Sequence, residues 1–216
     1  MATFGADTLG FGTLAGWAIQ TSNATDENKR ANTLGPLGNE KASNLFDDTQ
    51  QVNTTYKADQ VAAPTIPASI GGDVNGVALT GIALSTDAED FVTMTLTGHA
   101  HSDGSHGVVK SVAHGITLDA GFGASAFGCT VGVGNSVRSS ECNITAEHID
   151  VPDQDGDTTA GENYDAKIEV SARILGAGAS VPDAYDRLED GTEGENTDFQ
   201  YQTLRGIKPL DFDAGS

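Results

Sequence analysis

The sequence predicts an all-β protein: an antiparallel β-sandwich or barrel with long hairpins, an internal hairpin duplication and an extended N-terminal arm. Three observations carry this expectation. Several segments alternate apolar and polar residues with period two, the period of a half-buried strand. Nothing shows the ten-to-fifteen-residue helical pattern that a βαβ fold requires. And one stretch occurs twice. Residues Gly156–Val170 align without a gap on Gly38–Val52 at an offset of 118 residues. Gly38/Gly156, Ala42/Ala160, Asp47/Asp165 and Val52/Val170 are identical, and Asn39/Asp157 and Phe46/Tyr164 are conservative. Upstream, Ile19–Asn32 matches Val137–Asp150 only loosely. The unit reads as strand, loop around Gly38 or Gly156, strand.

Composition bounds the function classes. The 216 residues hold 27 Gly, 6 Pro and 38% hydrophobic residues, enough for one domain with arms and loops. Eleven Lys and Arg against 31 Asp and Glu give a formal charge of −20. Such a surface repels phosphate, so specific nucleic-acid binding and docking on anionic membranes are not expected. No apolar run approaches the roughly 20 residues of a membrane helix. The first basic side chain is Lys29, so no secretory signal is expected. Cys129 and Cys142 are either two buried thiols or a disulfide between adjacent strands. Lacking a CxxC spacing, they make no zinc site by themselves.

In chain order, residues 1–17 are Gly-spaced apolars (Phe4, Leu9, Phe11, Leu14, Trp17), a core strand or an arm that docks on a neighbouring subunit. Residues 18–58 form the first hairpin copy, although 20–35 read as polar and loop-like, and Val52, Thr54 and Tyr56 share one strand face. Residues 59–76, with Pro64, Pro67 and Gly71-Gly72, are a connection. The central strands span 77–134. Val77, Leu79, Gly81 and Ala83 alternate against Ala78, Thr80, Ile82 and Leu84, and 87–90 is a turn. Val92, Met94 and Leu96 then face inward, with Thr93, Thr95, Thr97, His99 and His101 on the other face. Val108–Leu118 is expected to return as the second strand of a long hairpin over 91–118. Gly121–Gly134 suits a strand or bend against another backbone. The second hairpin copy is 137–175, with Ile168, Val170, Ala172 and Ile174 opposite Lys167, Glu169, Ser171 and Arg173. Ala184–Asp190 fits one helical turn, Gly191–Asn196 an acidic turn, and 197–210 a terminal strand carrying Phe199, Tyr201 and Thr203.

Candidate chemistry is sparse. His99 and His101 lie at i and i+2 on one strand face, the spacing by which a sheet can hold zinc, with His106 and His114 nearby; a wet Thr/His face without metal is the simpler reading. Asp153, Asp155 and Asp157 surround Gly156 as a calcium loop does, but the glycine falls at the fourth position rather than the sixth. The equivalent loop, Leu34-Gly-Pro-Leu-Gly38, carries no carboxylate, so an acidic turn is expected. Gly123-Ala-Ser125-Ala-Phe127 is the nearest approach to a nucleophile elbow and lacks its second glycine. No catalytic, cofactor-binding or metal residue is assigned, and no enzyme is expected.

The order of pieces resembles virion structural proteins of tailed phages and tailed archaeal viruses, tail tube proteins in particular. The resembling pieces are the apolar N-terminal arm, the Gly38-Asn-Glu hairpin ending in Val52-Asn-Thr-Thr-Tyr56, the central hairpin at 91–118, the Gly156-Asp…Tyr164-Asp…Val170 strand and the strand at 199–210. The resemblance is architectural, without a diagnostic motif, and the helix that usually flanks the family's sandwich has no place here. It implies stacked homo-oligomeric rings, usually hexameric, that contact other tail proteins and pass DNA without specific binding, in a virion assembled in the host cytoplasm. Capsid decoration and head–tail connection are alternatives within that class. An extracellular calcium- or carbohydrate-binding β-sandwich module is the alternative outside it, although one Trp and four Tyr offer few sugar platforms. An acidic, hydroxyl-lined passage, with Thr93, Thr95, Thr97 and His99 facing the lumen or the next subunit, follows from the charge and the polar face.

Overall fold

The computed structural model describes residues 10–60, 62–101, 110–127, 136–152, 158–175, 189–190 and 201–210. All regular structure in them is extended: β1 Trp17–Leu34, β2 Glu40–Ala58, β3 Ser69–Ile70, β4 Asp73–Val74, β5 Val77–Asp87, β6 Thr93–His101, β7 Val112–Ala113, β8 Ser136–Pro152, β9 Thr158–Leu175, β10 Glu189–Asp190 and β11 Tyr201–Pro209. One antiparallel sheet runs β1-β2-β6-β5-β8-β9-β11-β10, with β4 beside β5, and β3 pairs with β7 separately. The all-β, antiparallel, long-hairpin expectation holds.

The duplication extends to the hydrogen-bond ladder. Every β8–β9 pair is a β1–β2 pair moved by 118 residues: Ile19↔Tyr56 becomes Val137↔Ile174, Ala24↔Val52 becomes Cys142↔Val170, and Leu34↔Glu40 becomes Pro152↔Thr158. The three irregularities coincide too, at Ile19/Thr21 and Val137/Ser139, Glu27/Lys29 and Thr145/Glu147, and Thr33/Leu34 and Val151/Pro152. At the middle one, the step from Phe46 to Thr49 opposes the shorter step from Lys29 to Glu27, and Tyr164 to Lys167 likewise opposes Glu147 to Thr145. The extra residue flips the side-chain parity. Asp165 sits there with φ +47°, in the left-handed region that Asp tolerates better than most residues. The matching aspartate of the first copy is Asp47.

The repeat continues past the hairpins. β2 pairs β6 from Thr49↔His101 to Lys57↔Thr93, and β9 pairs β11 from Lys167↔Pro209 to Leu175↔Tyr201. β6 and β11 are thus equivalent at an offset of 108, which superimposes Thr95-Leu-Thr-Gly98 on Thr203-Leu-Arg-Gly206. The same offset relates the fourth strands: Gly81↔Thr97 and Ile82↔Leu96 become Glu189↔Arg205 and Asp190↔Leu204. The sheet is therefore two four-stranded units, β1-β2-β6-β5 and β8-β9-β11-β10, joined where β5 pairs with β8.

One face of the sheet carries the core. Val52, Tyr56, Met94, Leu96, Ile82, Leu84, Cys142, Ile144, Ile168, Val170 and Ile174 are all buried there. At full burial, each large side chain contributes about 1.5–3 kcal/mol. The connections seal this face. Phe11 and Trp17 are buried, Tyr56 Oη donates to Gly12 O at 2.7 Å, Trp17 Nε1 donates to Thr65 O at 2.6 Å, and Asn75 Nδ2 donates to Phe11 O at 2.6 Å. The described end of the N-terminal arm thus packs on its own core; residues 1–9 lie outside the described residues. Burial raises the Tyr56 pKa to about 12, against a smaller lowering by the Thr54 hydroxyl. Gly98 is a close-approach site: a Cβ there would lie 2.5 Å from both Phe11 Cζ and Val77 Cγ1.

Several expectations are corrected. Residues 20–34 of the stretch expected as loop are strand: apart from the half-buried Ser22, the β1 residues from 20 to 26 and from 30 to 34 are exposed, so no apolar period shows. The parity of β5 changes midway, because a bulge between Leu79 and Gly81 moves burial from Val77 and Leu79 to Ile82, Leu84 and Thr86. The hairpin over 91–118 does not form. The tight turn at 87–90, in which Glu89 N donates to Asp87 Oδ1 at 3.0 Å, lets β6 pair back on β5, and β2 takes its other edge. Val112–Ala113 pairs instead with Ser69–Ile70. Of the helical turn expected over Ala184–Asp190, residues 184–188 lie outside the described residues and Glu189–Asp190 is strand. Gly121 meets another backbone as expected, since a Cβ there would overlap Gln60 O. The turns at 153–157 and 191–196, Phe199, and residues 128–134 lie outside the described residues.

Replacing Asp165 by Val, whose branched side chain fits φ +47° poorly, is expected to destabilise the protein by roughly 1–2 kcal/mol, while Asp165→Gly stays near wild type. Urea unfolding of both variants checks this; equal loss in the two means that the aspartate side chain, not the backbone, matters.

Candidate functional site

The face opposite the core is built by parity. Rows run straight across five strands: Asn53, Thr97, Gly81, Thr145 and Lys167 form one, Thr55, Thr95, Ala83, Asn143 and Glu169 the next, and Lys57, Thr93, Ser85, Glu141 and Ser171 a third. Hydroxyl and amide groups tie neighbours together, with Thr55 Oγ1 and Thr95 Oγ1 3.2 Å apart and Thr97 Oγ1 donating to Asn53 Oδ1 at 2.8 Å. Asp87 and Arg173 extend the rows at one end, around a shallow hollow that also takes in Ser85, Ser139, Glu141 and Ser171. Thr93, Thr95, Thr97 and His99 are half-buried on this face, as the alternation predicts.

The charge on these rows is balanced. Lys57, Lys167 and Arg173 stand against Asp87, Glu141 and Glu169, and Lys167 Nζ pairs with Glu169 Oε1 at 3.4 Å. At the rim Lys57 Nζ lies 2.8 Å from Asp90 Oδ1, and its hydrogen bond holds the Asp90 carboxyl below the usual range. The acidic excess therefore lies outside these rows. The strand parity that presents Thr93, Thr95 and Thr97 presents acids and bases in equal numbers on these rows.

The described histidines make separate contacts within the protein. Among the described residues no group of three or more His, Cys, Asp or Glu could hold an ion. His99 packs against His148 with ring centroids 5.2 Å apart, and His148 Nδ1 lies 2.7 Å from Asn163 Oδ1. Asn163 is buried and donates to Gly71 O at 2.9 Å and Lys110 O at 3.1 Å, so this polar group clamps the connections to the second hairpin. His114 is held by other partners. Its Nδ1 accepts the Ile116 N–H at 3.1 Å, and its Nε2 lies 2.7 Å from Pro67 O, which fixes a neutral imidazole with the proton on Nε2. The side chain of His101, and His106, lie outside the described residues, as do Cys129 and the carboxylates at 153–157. Cys142 is buried in the core. Ser125 is buried, with its own N–H donating to Thr86 Oγ1 at 3.1 Å and its carbonyl accepting from Ser140 Oγ at 2.5 Å, a knot that ties the connection to β5 and β8.

Two further features escaped sequence reasoning. Beyond the middle bulge each hairpin continues, among the described residues, as two strands paired only with each other, since β6 pairs β2 only to Thr49 and β11 pairs β9 only to Lys167. The second of these pairs exposes Ile149, Val151 and Tyr164. And the sheet ends on β1 at one side and on β10 at the other, with no further strand among the described residues. The recurrence of Thr-Leu-x-Gly at 95–98 and 203–206 was the available signal for the four-stranded unit.

Burial lowers the His114 pKa, partly offset by its bond to Pro67. A histidine depressed in the folded state opposes protonation. Stability is therefore full above the unfolded value near 6.5 and falls as pH drops from there through the folded value. Protonation also breaks the bond from Ile116 N–H, a buried donor whose loss costs about 1–3 kcal/mol. Thermal unfolding from pH 8 to pH 5 is expected to show this loss, and His114→Gln to flatten the slope while lowering Tm at pH 8. An unchanged slope in the variant removes His114 from the account.

No family model, curated protein or solved structure matches the chain. No helix among the described residues is long and apolar enough to cross a membrane.

Proposed function

We propose that this chain is a virion structural subunit, a tail tube protein whose copies close into rings that stack as a conduit for DNA. The observation that carries the reading is a long antiparallel sheet with one face sealed by its own connections, rows on the other face rich in hydroxyls and balanced in charge, and, among the described residues, an open strand at each end. A sheet of this kind continues from copy to copy. A hydroxylated face without net positive charge lets a phosphate backbone pass without holding it, and the −20 of the whole chain disfavours adsorption elsewhere. The exposed Ile149, Val151 and Tyr164 beyond the bulge of the second hairpin suit an apolar contact with a neighbour along the stacking direction. The resemblance to tail tube proteins sets the expected ring at six copies; it rests on architecture alone. Decoration or connector roles use the same subunit without the stacked tube.

Electron micrographs of purified protein at high concentration are expected to show rings or hollow tubes. A strictly monomeric protein overturns the reading, and single rings that never stack redirect it to a connector. Thr95→Lys places one cation per copy on the proposed lining and costs about 1 kcal/mol through the Thr55 hydroxyl contact. Assemblies of this variant are expected to retain DNA in low salt where wild-type assemblies release it. Equal release by the two places the lining elsewhere.

A further inference from the structure

The junction inside the chain is a template for a junction between chains. β5, the fourth strand of the first unit, pairs antiparallel with β8, the first strand of the second, from Gly81↔Thr145 to Asp87↔Ser139. The second unit has the same fourth strand, β10, on the same partner in the same register, and it ends the sheet. The first unit has the same first strand, β1, which ends the sheet on the other side. Each copy thus carries both halves of a junction that it has already made once internally.

Burial shows what β1 lacks. On β8, Ser140, Cys142 and Ile144 are buried. Their equivalents on β1 are Ser22, Ala24 and Asp26; the first is half-buried and the other two are exposed, although both strands keep the same ladder to their hairpin partners. The difference lies on the far side, where β8 has β5 and β1 has nothing among the described residues.

We propose that a second copy of this chain docks its β10 edge on β1, head to tail, in the register of the β5–β8 junction. The offsets place Asp190 opposite Asp26 and Glu189 opposite Glu27, where the internal junction has Ile82 opposite Ile144 and Gly81 opposite Thr145. Two acidic pairs therefore stand where the internal junction has none. Like charges directly opposite each other resist pairing, so the edges stay apart at low ionic strength and join when salt shortens the Debye length from roughly 30 Å at 0.01 M to about 3 Å at 1 M. Carboxylates on open strand edges also guard a subunit against premature aggregation. The inference deepens the reading of the chain as a self-assembling subunit, but needs neither DNA nor a tube.

The test is disulfide trapping with Asp26→Cys plus Asp190→Cys, made both with the native cysteines and with Cys129→Ser and Cys142→Ala. Facing residues of an antiparallel pair lie at about 4.5–5.5 Å between Cα atoms, within disulfide reach. Oxidation at 1 M sodium chloride is expected to give a reducible ladder of dimers and higher oligomers, at least fivefold more than at 0.01 M. A mixture of the two single variants is expected to give dimers only. The off-register pair Glu27→Cys with Asp190→Cys is expected to trap several-fold less. A cross-linked monomer alone means that the sheet closes within one chain and overturns the proposal. So does the absence of a ladder at every salt concentration, or equal trapping off register. A ladder without tubes in micrographs sinks the conduit and keeps the junction; tubes without a ladder do the reverse.

Discussion

Cross-strand register is the constraint on which this fold depends. With a side-chain period of two, a slip of one residue moves a whole strand's apolar set to the wrong face. Here the hairpins keep one register through three irregularities each, repeated at the same positions 118 residues apart. The middle irregularity determines the most. Between Lys167 and Leu175 the even-numbered residues of β9 face the core, but beyond Asp165 it is the odd-numbered Gly161 and Asn163 that are buried. The extra residue at the bulge makes that change, and it comes where the pairing of β2 with β6 and of β9 with β11 ends. A bulge repeated in both copies is part of the unit rather than a local accident.

The second dependence is on long connections. A single sheet cannot bury a face without a second layer. Residues 10–16, 59–60, 62–76 and 110–127 supply one with little regular structure, held by side-chain bonds to backbone carbonyls: Trp17 to Thr65, Tyr56 to Gly12, Asn75 to Phe11 and Asn163 to Gly71 and Lys110. Irregular backbone is tolerable against a core only when its polar groups find such partners. Gly98 and Gly121 let these segments approach to distances at which a Cβ would collide.

What was legible in the sequence follows from these two layers. β2, β6 and the sheet-bound part of β9 each have a sealed face and a wet face, and their alternation reads directly. Val52, Tyr56, Met94, Leu96, Ile168 and Ile174 are buried as the pattern indicates. β1 was illegible because periodicity records burial and β1 has little. The pairing of 91–118 was illegible because alternation says that a segment is extended, not which edge it meets; the turn after Asp87 was the better guide. The third and fourth strands of the repeat were hidden by spacing, since the connection before Thr203 is ten residues shorter than the one before Thr95, which breaks a gap-free comparison. The candidate site was half legible. The Thr face was visible, but its balance of charge was not, because a net charge says nothing about which face carries it.

A chain made of two like units joined head to tail has an asymmetry that a symmetric dimer lacks. Its internal contact is heterologous, fourth strand to first strand, so using that contact once leaves one of each strand over. Heterologous contacts do not saturate in pairs; they close into rings when the rotation per unit divides a full turn and otherwise run on as filaments. The twist of adjacent strands, roughly 20–25° each, is the quantity that decides between the two, because it accumulates along the sheet and sets the turn made by each copy. The internal junction is filled with apolar groups such as Ile82 and Ile144 and is permanent, whereas the equivalent outer positions carry Asp26 and Asp190. The same backbone pairing is therefore written twice, once as core and once as an edge whose closure depends on the screening of charge.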